Sequence, residues 1–543
     1  MQPSSIISAM LRATPSALGC VLVIGLALTP AAAQFVCVGN ANGEAVGDGV
    51  PGSSANGNGA TAAGTNADTS TACGGGADAH GDSASNSAFG QQANASGRSG
   101  RNTAVGAGAN ASESSVLNSS RNTALGADTN ASGGFSGNVA IGGANPTDVL
   151  FNGGTPANAS GTLSSNIAIG GGADARGDGN TSTLVNASNI AIGRNAKASG
   201  NDSSNLAIGT NSMASGNSAA YGFGASATGS QSAAFGYQSV VSGSNSIAAG
   251  SGNTVSGNNS GAFGTGNTVT GNGSYAIGDP NIVNGDNSFV LGNNNNINNG
   301  TTPTDGWGNG IQVVGSRNII ANTASATGST VLGSDNTVNA SGALVMGNAA
   351  TVTGGNAVAI GNGVHVAGVN GIAVGKLASA DYANSAAFGA GAAATRDNQQ
   401  VFGTTSNTYT MTGIASSASR AAQSGPVRIV TSDGGGNLAT ASLSDLGAAS
   451  IGDISAINTR LNDLTKETRR GIAAAAALAT AMTPSAPGKT TVSVNSGFFK
   501  GEAGVGAAVA HRLNFSTPVI VHGSYANSGG NGHVGRVGVG FEF

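Results

Sequence analysis

Apolar residues recur along this chain in a short phrase. A small or apolar residue is followed by Ala or Val, a second apolar residue and Gly, as in Asn189-Ile190-Ala191-Ile192-Gly193. The phrase ends at Gly90, Gly106, Gly126, Gly142, Gly170, Gly193 and Gly209. It then recurs every 14 residues from Gly222 to Gly292 and again from Gly333 to Gly403. A fixed period predicts a solenoid of stacked units. A second glycine falls seven residues earlier (Gly229, Gly243, Gly257, Gly271, Gly285, Gly354, Gly368), and five residues after the phrase stands Ala227, Val241, Val255, Val269 or Val283. Each 14-mer therefore reads as two short strands closed by bends that glycine permits. About twenty coils at roughly 4.8 Å each would make a rod near ~100 Å long. The expected repeat core is the residue before the phrase glycine, Ile192, Ile208, Phe263, Ile277, Leu291 and Ile360, packed on Val255, Val269 and Val283. The central alanines, such as Ala248, Ala262 and Ala276, would then point to the other face. A single coil cannot hide small apolar residues on both faces, and packing three coils about one axis would cover the second.

The period changes at the C-terminus. Val537, Val539, Phe541 and Phe543 alternate with Gly538, Gly540 and Glu542, the apolar-out, polar-in dyad of an outer-membrane strand. Three similar segments precede it, carrying Val492 and Val494, then Val505, Ala507 and Val509, then Val519, Val521 and Tyr525. Four strands cannot close a barrel, and an unpaired backbone group in hydrocarbon costs several kcal/mol. Three copies would supply twelve strands. Upstream, Ile454, Leu461, Thr468, Ala475 and Met482 at a, with Ile457, Leu464, Gly471 and Leu478 at d, make four heptads. Isoleucine at the first a and d positions favours trimers. The expected trimer seam is Ile454, Ile457, Leu461, Leu464 and Leu478. The run Ala473 to Ala477 is slim and helix-favouring, so three such helices could share a narrow lumen. The alternative is a soluble Ala-rich helix followed by two hairpins, which leaves the outward valines and the terminal Phe without partners.

The chain's first residues read as an export signal. Arg12, an apolar run from Ala17 to Leu28 and then Ala31-Ala32-Ala33 fit a secretory signal peptide over 1–33. No other stretch reaches the ~18 apolar residues of a membrane helix. Cys37 and Cys73 would remain after cleavage, and an oxidising compartment would permit a disulfide between them.

Composition narrows the function. Charged residues are 8% of the chain, the formal net charge is −4 and glycine is 92 of 543 residues, against about 25% charged in ordinary soluble domains. The chain lacks the basic footprint that nucleic acid requires. His80, His365, His511, His522 and His533 are scattered without metal-ligand spacing, and the acids do not form a calcium repeat. The expectation is no enzyme, no cofactor and no metal. Insertions interrupt the period, and Asn293 to Gly310, with Asn293 and Trp307, is the first candidate for a ligand-contacting loop; a tolerated surface excursion is the other reading.

Signal, Ala-Ile-Gly 14-mers such as Asn205-Leu206-Ala207-Ile208-Gly209 and Ala357-Val358-Ala359-Ile360-Gly361, a connector, a short heptad stretch, and Gly471-Ile472-Ala473-Ala474-Ala475 leading into four strands together resemble a trimeric autotransporter adhesin of the YadA-like family (type V secretion). The resemblance implies a mainly β chain with a left-handed parallel β-roll head, a short coiled-coil stalk and a twelve-stranded trimeric transmembrane β-barrel that exports the passenger. Its divisions would be signal 1–33, a Gly/Asn-rich segment 34–80, head 81–403, neck 404–446, coiled coil and lumen helix 447–482, and membrane anchor 483–543. Val537, Val539, Phe541 and Phe543 would face lipid. The implied location is the outer membrane and cell surface of a Gram-negative bacterium, and the implied partners are two further copies, outer-membrane lipid, the outer-membrane assembly machinery and a surface or host ligand. The family's Val-Asn-x-x-Gln-Leu neck phrase is absent, and Tyr409 to Leu446 stands in its place. A self-associating surface fibre without a foreign ligand is the alternative function.

Overall fold

The computed structural model describes residues 54–56, 59–62, 69–113, 119–144, 154–180, 182, 185–298, 307–321, 326–442, 444–447, 449–478 and 481–543. The expected signal peptide and Cys37 lie outside them. The chain divides into two compact units, Met1–Asn407 and Thr408–Phe543.

The first unit is a parallel β-solenoid. Its larger sheet has 22 strands, built from the apolar phrase and running from Ser54–Asn56 to Gln400–Phe402. Neighbours are one coil apart and in register, so that Ala234, Ala248, Ala262 and Ala276 stand in line. A smaller sheet of 11 two-residue strands runs from Met213–Ala214 to His365–Val366. Single bridges continue that line through Asp78, Asn94 and Asn110 on one side and to Ser379 and Ala393 on the other. The solenoid begins before residue 81, because Thr71–Cys73 is the same phrase with Cys in its apolar slot and pairs with Ser87–Phe89. Cys73 is disulfide-bonded.

The interior keeps the expected valine column but reverses the phrase strand that packs on it. The central alanines Ala248, Ala262 and Ala276 are fully buried with Val255, Val269 and Val283. Ile192, Ile208, Phe263 and Ile360 are only half-buried, and Ile277 and Leu291 are exposed on the outer face of the larger sheet. The reason is the size of the coil. Adjacent residues of a strand point to opposite faces, and the thin interior between the two strands is filled by Ala opposite Val in coils such as Ala262–Val269 and by Val opposite Ile at Val290–Ile297 and Val313–Ile320, which leaves the residues flanking the central position outside.

Polar side chains line the corners of the same interior. Asn267 donates from Nδ2 to Gly278 O at 2.6 Å and to Asn253 Oδ1 at 3.0 Å, and its own Oδ1 accepts from Asn281 N at 2.9 Å. This ladder runs through the buried Asn253, Asn267, Asn281, Asn295, Asn318 and Asn336. In the earlier coils the asparagines stand at the opposite corner, before the larger sheet, as Asn86, Asn102 and Asn122. Where they leave that corner, serines such as Ser246 and Ser260 take it over. Buried amides are tolerated here because each finds partners on the adjacent coils.

The phrase glycine is imposed by backbone and space together. Gly264 has φ +121°, and a Cβ on it would overlap the carbonyl oxygen of Gly278 on the next coil. No residue with a side chain fits both conditions.

The second unit contains a short helix, Ser417–Ala421, and an antiparallel hairpin, Ile429–Ser432 with Leu438–Ala441. A long helix follows, Ile451–Ala477, begun by a Ser450–Asp453 capping box. It stops short of residue 482. Leu478 is already extended, and Pro484 and Pro487 bar a helix from the return to the first strand. Four strands, Thr490–Phe499, Glu502–Arg512, Val519–Asn527 and His533–Phe541, then pair as consecutive antiparallel neighbours.

Candidate functional site

The C-terminal sheet has two unlike faces. Along its second strand Gly504, Gly506, Ala508 and Ala510 are buried, while Ala503, Val505, Ala507 and Val509 between them are exposed. The small-residue face receives the end of the long helix. A Cβ on Gly497 would lie 2.6 Å from Ala477 N, one on Gly504 2.8 Å from Ala473 O, and Ala474 and Ala477 pack with Ala526. Alanine on one side and glycine on the other let the two backbones approach more closely than larger side chains allow.

The opposite face is apolar and uncovered. Val492, Val494, Phe498, Val505, Val521 and Tyr525 are exposed on it. Val537, Val539 and Phe541, expected to face lipid, share it at 89%, 53% and 66% exposure, and Phe543 beyond them is fully exposed. The first and fourth strands are the sheet's two edges. On the inner face, Ser493 Oγ, Ser524 Oγ and Arg512 Nε are buried without a hydrogen-bond partner.

At one end of the sheet the helix is tied by polar contacts. Arg470 Nε meets Glu502 Oε2 at 3.1 Å, and Ser528 Oγ donates to Arg470 O at 2.6 Å. The sequence analysis missed this pair, because the residues stand 32 positions apart and Arg470 is one of several charges on its helix.

The long helix from Ile451 to Arg469 is exposed on all sides. Four seam residues, Ile454, Ile457, Leu461 and Leu464, lie uncovered along it, the last at 60% exposure. Leu478 alone of the five packs within the unit, against Ala474 and Ala477. The hairpin likewise exposes Val430 and Leu438.

The expected ligand loop is reached only at its ends. Asn293 is exposed, its Oδ1 accepting from Asp279 N at 2.8 Å. Trp307 packs against the solenoid core, so it serves the coil. Residues 299–306 lie outside the described residues. An aromatic cluster that the repeat reading passed over stands elsewhere. Tyr221, Phe223, Phe235 and Tyr237 are exposed on two adjacent coils, with Phe223 and Tyr237 stacked at 5.5 Å. Its signal was available, since other phrase glycines from Gly193 onward are followed by no aromatic residue.

Among the described residues no group of three or more His, Cys, Asp or Glu could hold a metal ion, and no helix is long and apolar enough to cross a membrane. His365 contacts Asp381, which also accepts from Ser379 Oγ at 2.5 Å. The Asp381 carboxylate thus joins the imidazole and the hydroxyl on adjacent coils. Compared with known proteins, the chain matches no family model and no curated relative.

Proposed function

We propose that this chain is a surface-anchored trimeric adhesin, exporting its own solenoid through a barrel to which three copies each contribute four strands, and mediating attachment to a host, a surface or other cells. The observation that carries the reading is the C-terminal sheet itself: one face apolar and uncovered, the other packed on a helix, both edges open. Lipid is the solvent suited to the first face, since backbone edges must then be closed by further strands. Partners from other copies or water in a lumen would satisfy the buried atoms of Ser493, Ser524 and Arg512. The uncovered seam is consistent, because an isolated helix without tertiary packing is marginal in water. The outward Ile, Leu and Phe of the solenoid's larger sheet provide a contact face for three coils. Many polar, repeated contacts on a trimer would gain roughly 10²- to 10⁴-fold from avidity.

Mass decides the anchor. Protein extracted in detergent from outer membranes and run on an SDS gel with and without full denaturation should give a band near three chains that collapses to one. A single-chain band in both lanes contradicts the reading. The second reading, a self-associating fibre without a foreign ligand, is favoured by the inward packing of Trp307, which removes the aromatic anchor expected of the insertion. Saturable inhibition by a purified matrix protein supports adhesion; cell clumping without any ligand supports the fibre.

A further inference from the structure

We propose that Arg470 and Glu502 form a latch that fixes the helix at one axial position in the pore once export is complete; this rests on the anchor reading above. The contact between helix and sheet is otherwise smooth. Ala473, Ala474 and Ala477 lie over Gly497, Gly504 and Gly506, and an alanine surface on a glycine surface presents no knobs to resist sliding along the helix axis. Such a surface suits a segment that must travel through the lumen, and it leaves the stopping point to something else.

The polar ties supply it. Glu502 is the first residue of the second strand, and its parity puts it on the same inner face as Gly504 and Gly506. Arg470 stands where the helix passes from full exposure to contact with the sheet. Their side chains are 30% and 21% exposed. Ser528, in the turn between the third and fourth strands, holds the Arg470 carbonyl, and Gly532 of that turn lies beside the Arg470 stem, a Cβ there coming within 3.2 Å of it. These contacts gather at the sheet end that carries the turns at Lys500–Gly501 and Ser528–Gly532. A partly buried charge needs its partner, and ionisable groups within a membrane-embedded element are costly enough to be functional by default. The Arg470–Glu502 pair forms at one helix position, with Lys466 the cation one turn away, and three such pairs in a trimer would make a ring that favours that position for all three helices. Arg470 and Glu502 are positioning residues; they set where the helix rests.

The test uses the full-length chain in outer membranes and the purified trimer in planar lipid bilayers. Wild type should conduct little. Arg470→Ala and Glu502→Gln should each raise the open fraction at least about tenfold, a modest figure for breaking a partly buried pair, with gel-resistant trimer and surface-exposed solenoid unchanged. The double exchange Arg470→Glu with Glu502→Arg should restore closure, which a loss of packing alone would not. Single variants that are trimeric, displayed and as closed as wild type overturn the latch. If the single variants do not assemble, the exchanged pair decides: a closed trimer supports the latch and a leaky one overturns it. A wild type that is not trimeric counts against the anchor reading instead.

Discussion

Gly506 lies directly against Ala477: a Cβ added at Gly506 would overlap the Ala477 carbonyl oxygen and come within 2.9 Å of Ala526 Cβ. The helix backbone rests on the strand backbone there, and nothing flexible separates them. Gly506→Ala should therefore displace the helix from the sheet, costing about 1–3 kcal/mol as overpacking usually does. The temperature at which the detergent-extracted oligomer dissociates on a gel should fall, whereas Gly540→Ala, with no heavy atom near its Cβ, should leave it unchanged.

Ile454 and Leu461 are exposed on a helix whose first nineteen residues, Ile451 to Arg469, are all exposed among the described residues. Replacing both by Asp puts carboxylates at two a positions of the proposed seam. The trimer should then be lost or fall apart well below the wild-type temperature, read as a shift to the single-chain band. A heat-resistant trimer surviving the change would contradict the heptad assignment.

The solenoid glycines are not equivalent. Gly264→Ala meets both an unfavourable φ and the Gly278 carbonyl, at about 1–3 kcal/mol for the backbone strain and a further ~1–3 kcal/mol for the overlap. Gly252 has φ +63° but open space around its Cβ, so Gly252→Ala should cost only about 1–2 kcal/mol. Thermal unfolding followed by circular dichroism should rank them in that order, with wild type highest.

Asn267→Ala removes the donor to Gly278 O and leaves Asn281 N without the side-chain acceptor it uses at 2.9 Å. Leaving buried groups unpaired costs about 1–3 kcal/mol. Limited proteolysis should cut the variant earlier than wild type. Equal resistance would mean that water replaces the amide.

Ser450 caps the long helix, its Oγ accepting from Asp453 N at 3.1 Å while the Asp453 carboxylate accepts from Ser450 N at 2.8 Å. Ser450→Ala should weaken the helix by about 1 kcal/mol. The backbone N–H of Ser450, then its hydroxyl, hold the Asp453 pKa below its ordinary value. That contribution is fully present above the ordinary aspartate pKa of about 4 and is lost as the pH falls through the lower folded value. Helix content measured by circular dichroism from pH 6 downward should therefore drop more for wild type than for Asp453→Asn.

Much of the fold was legible from spacing alone. The glycine period located the coils, and alternation at Val505, Ala507 and Val509 located a strand with its exposed face. The Arg470–Glu502 pair was not legible, because residues 32 positions apart meet only through the way the helix lies on the sheet.

What the sequence determined by itself was therefore the periods: where each coil turns and which residues of the C-terminal strands share a face. Period identifies residues on the same side but cannot say which side is inside when both are apolar. The tertiary structure decided that. The coil closes with the central Ala262 and the facing Val269 inside and the flanking Phe263 and Ile277 outside, because adjacent strand residues point to opposite faces and the thin space between the two strands takes at most pairs such as Val290 with Ile297, not an aromatic ring.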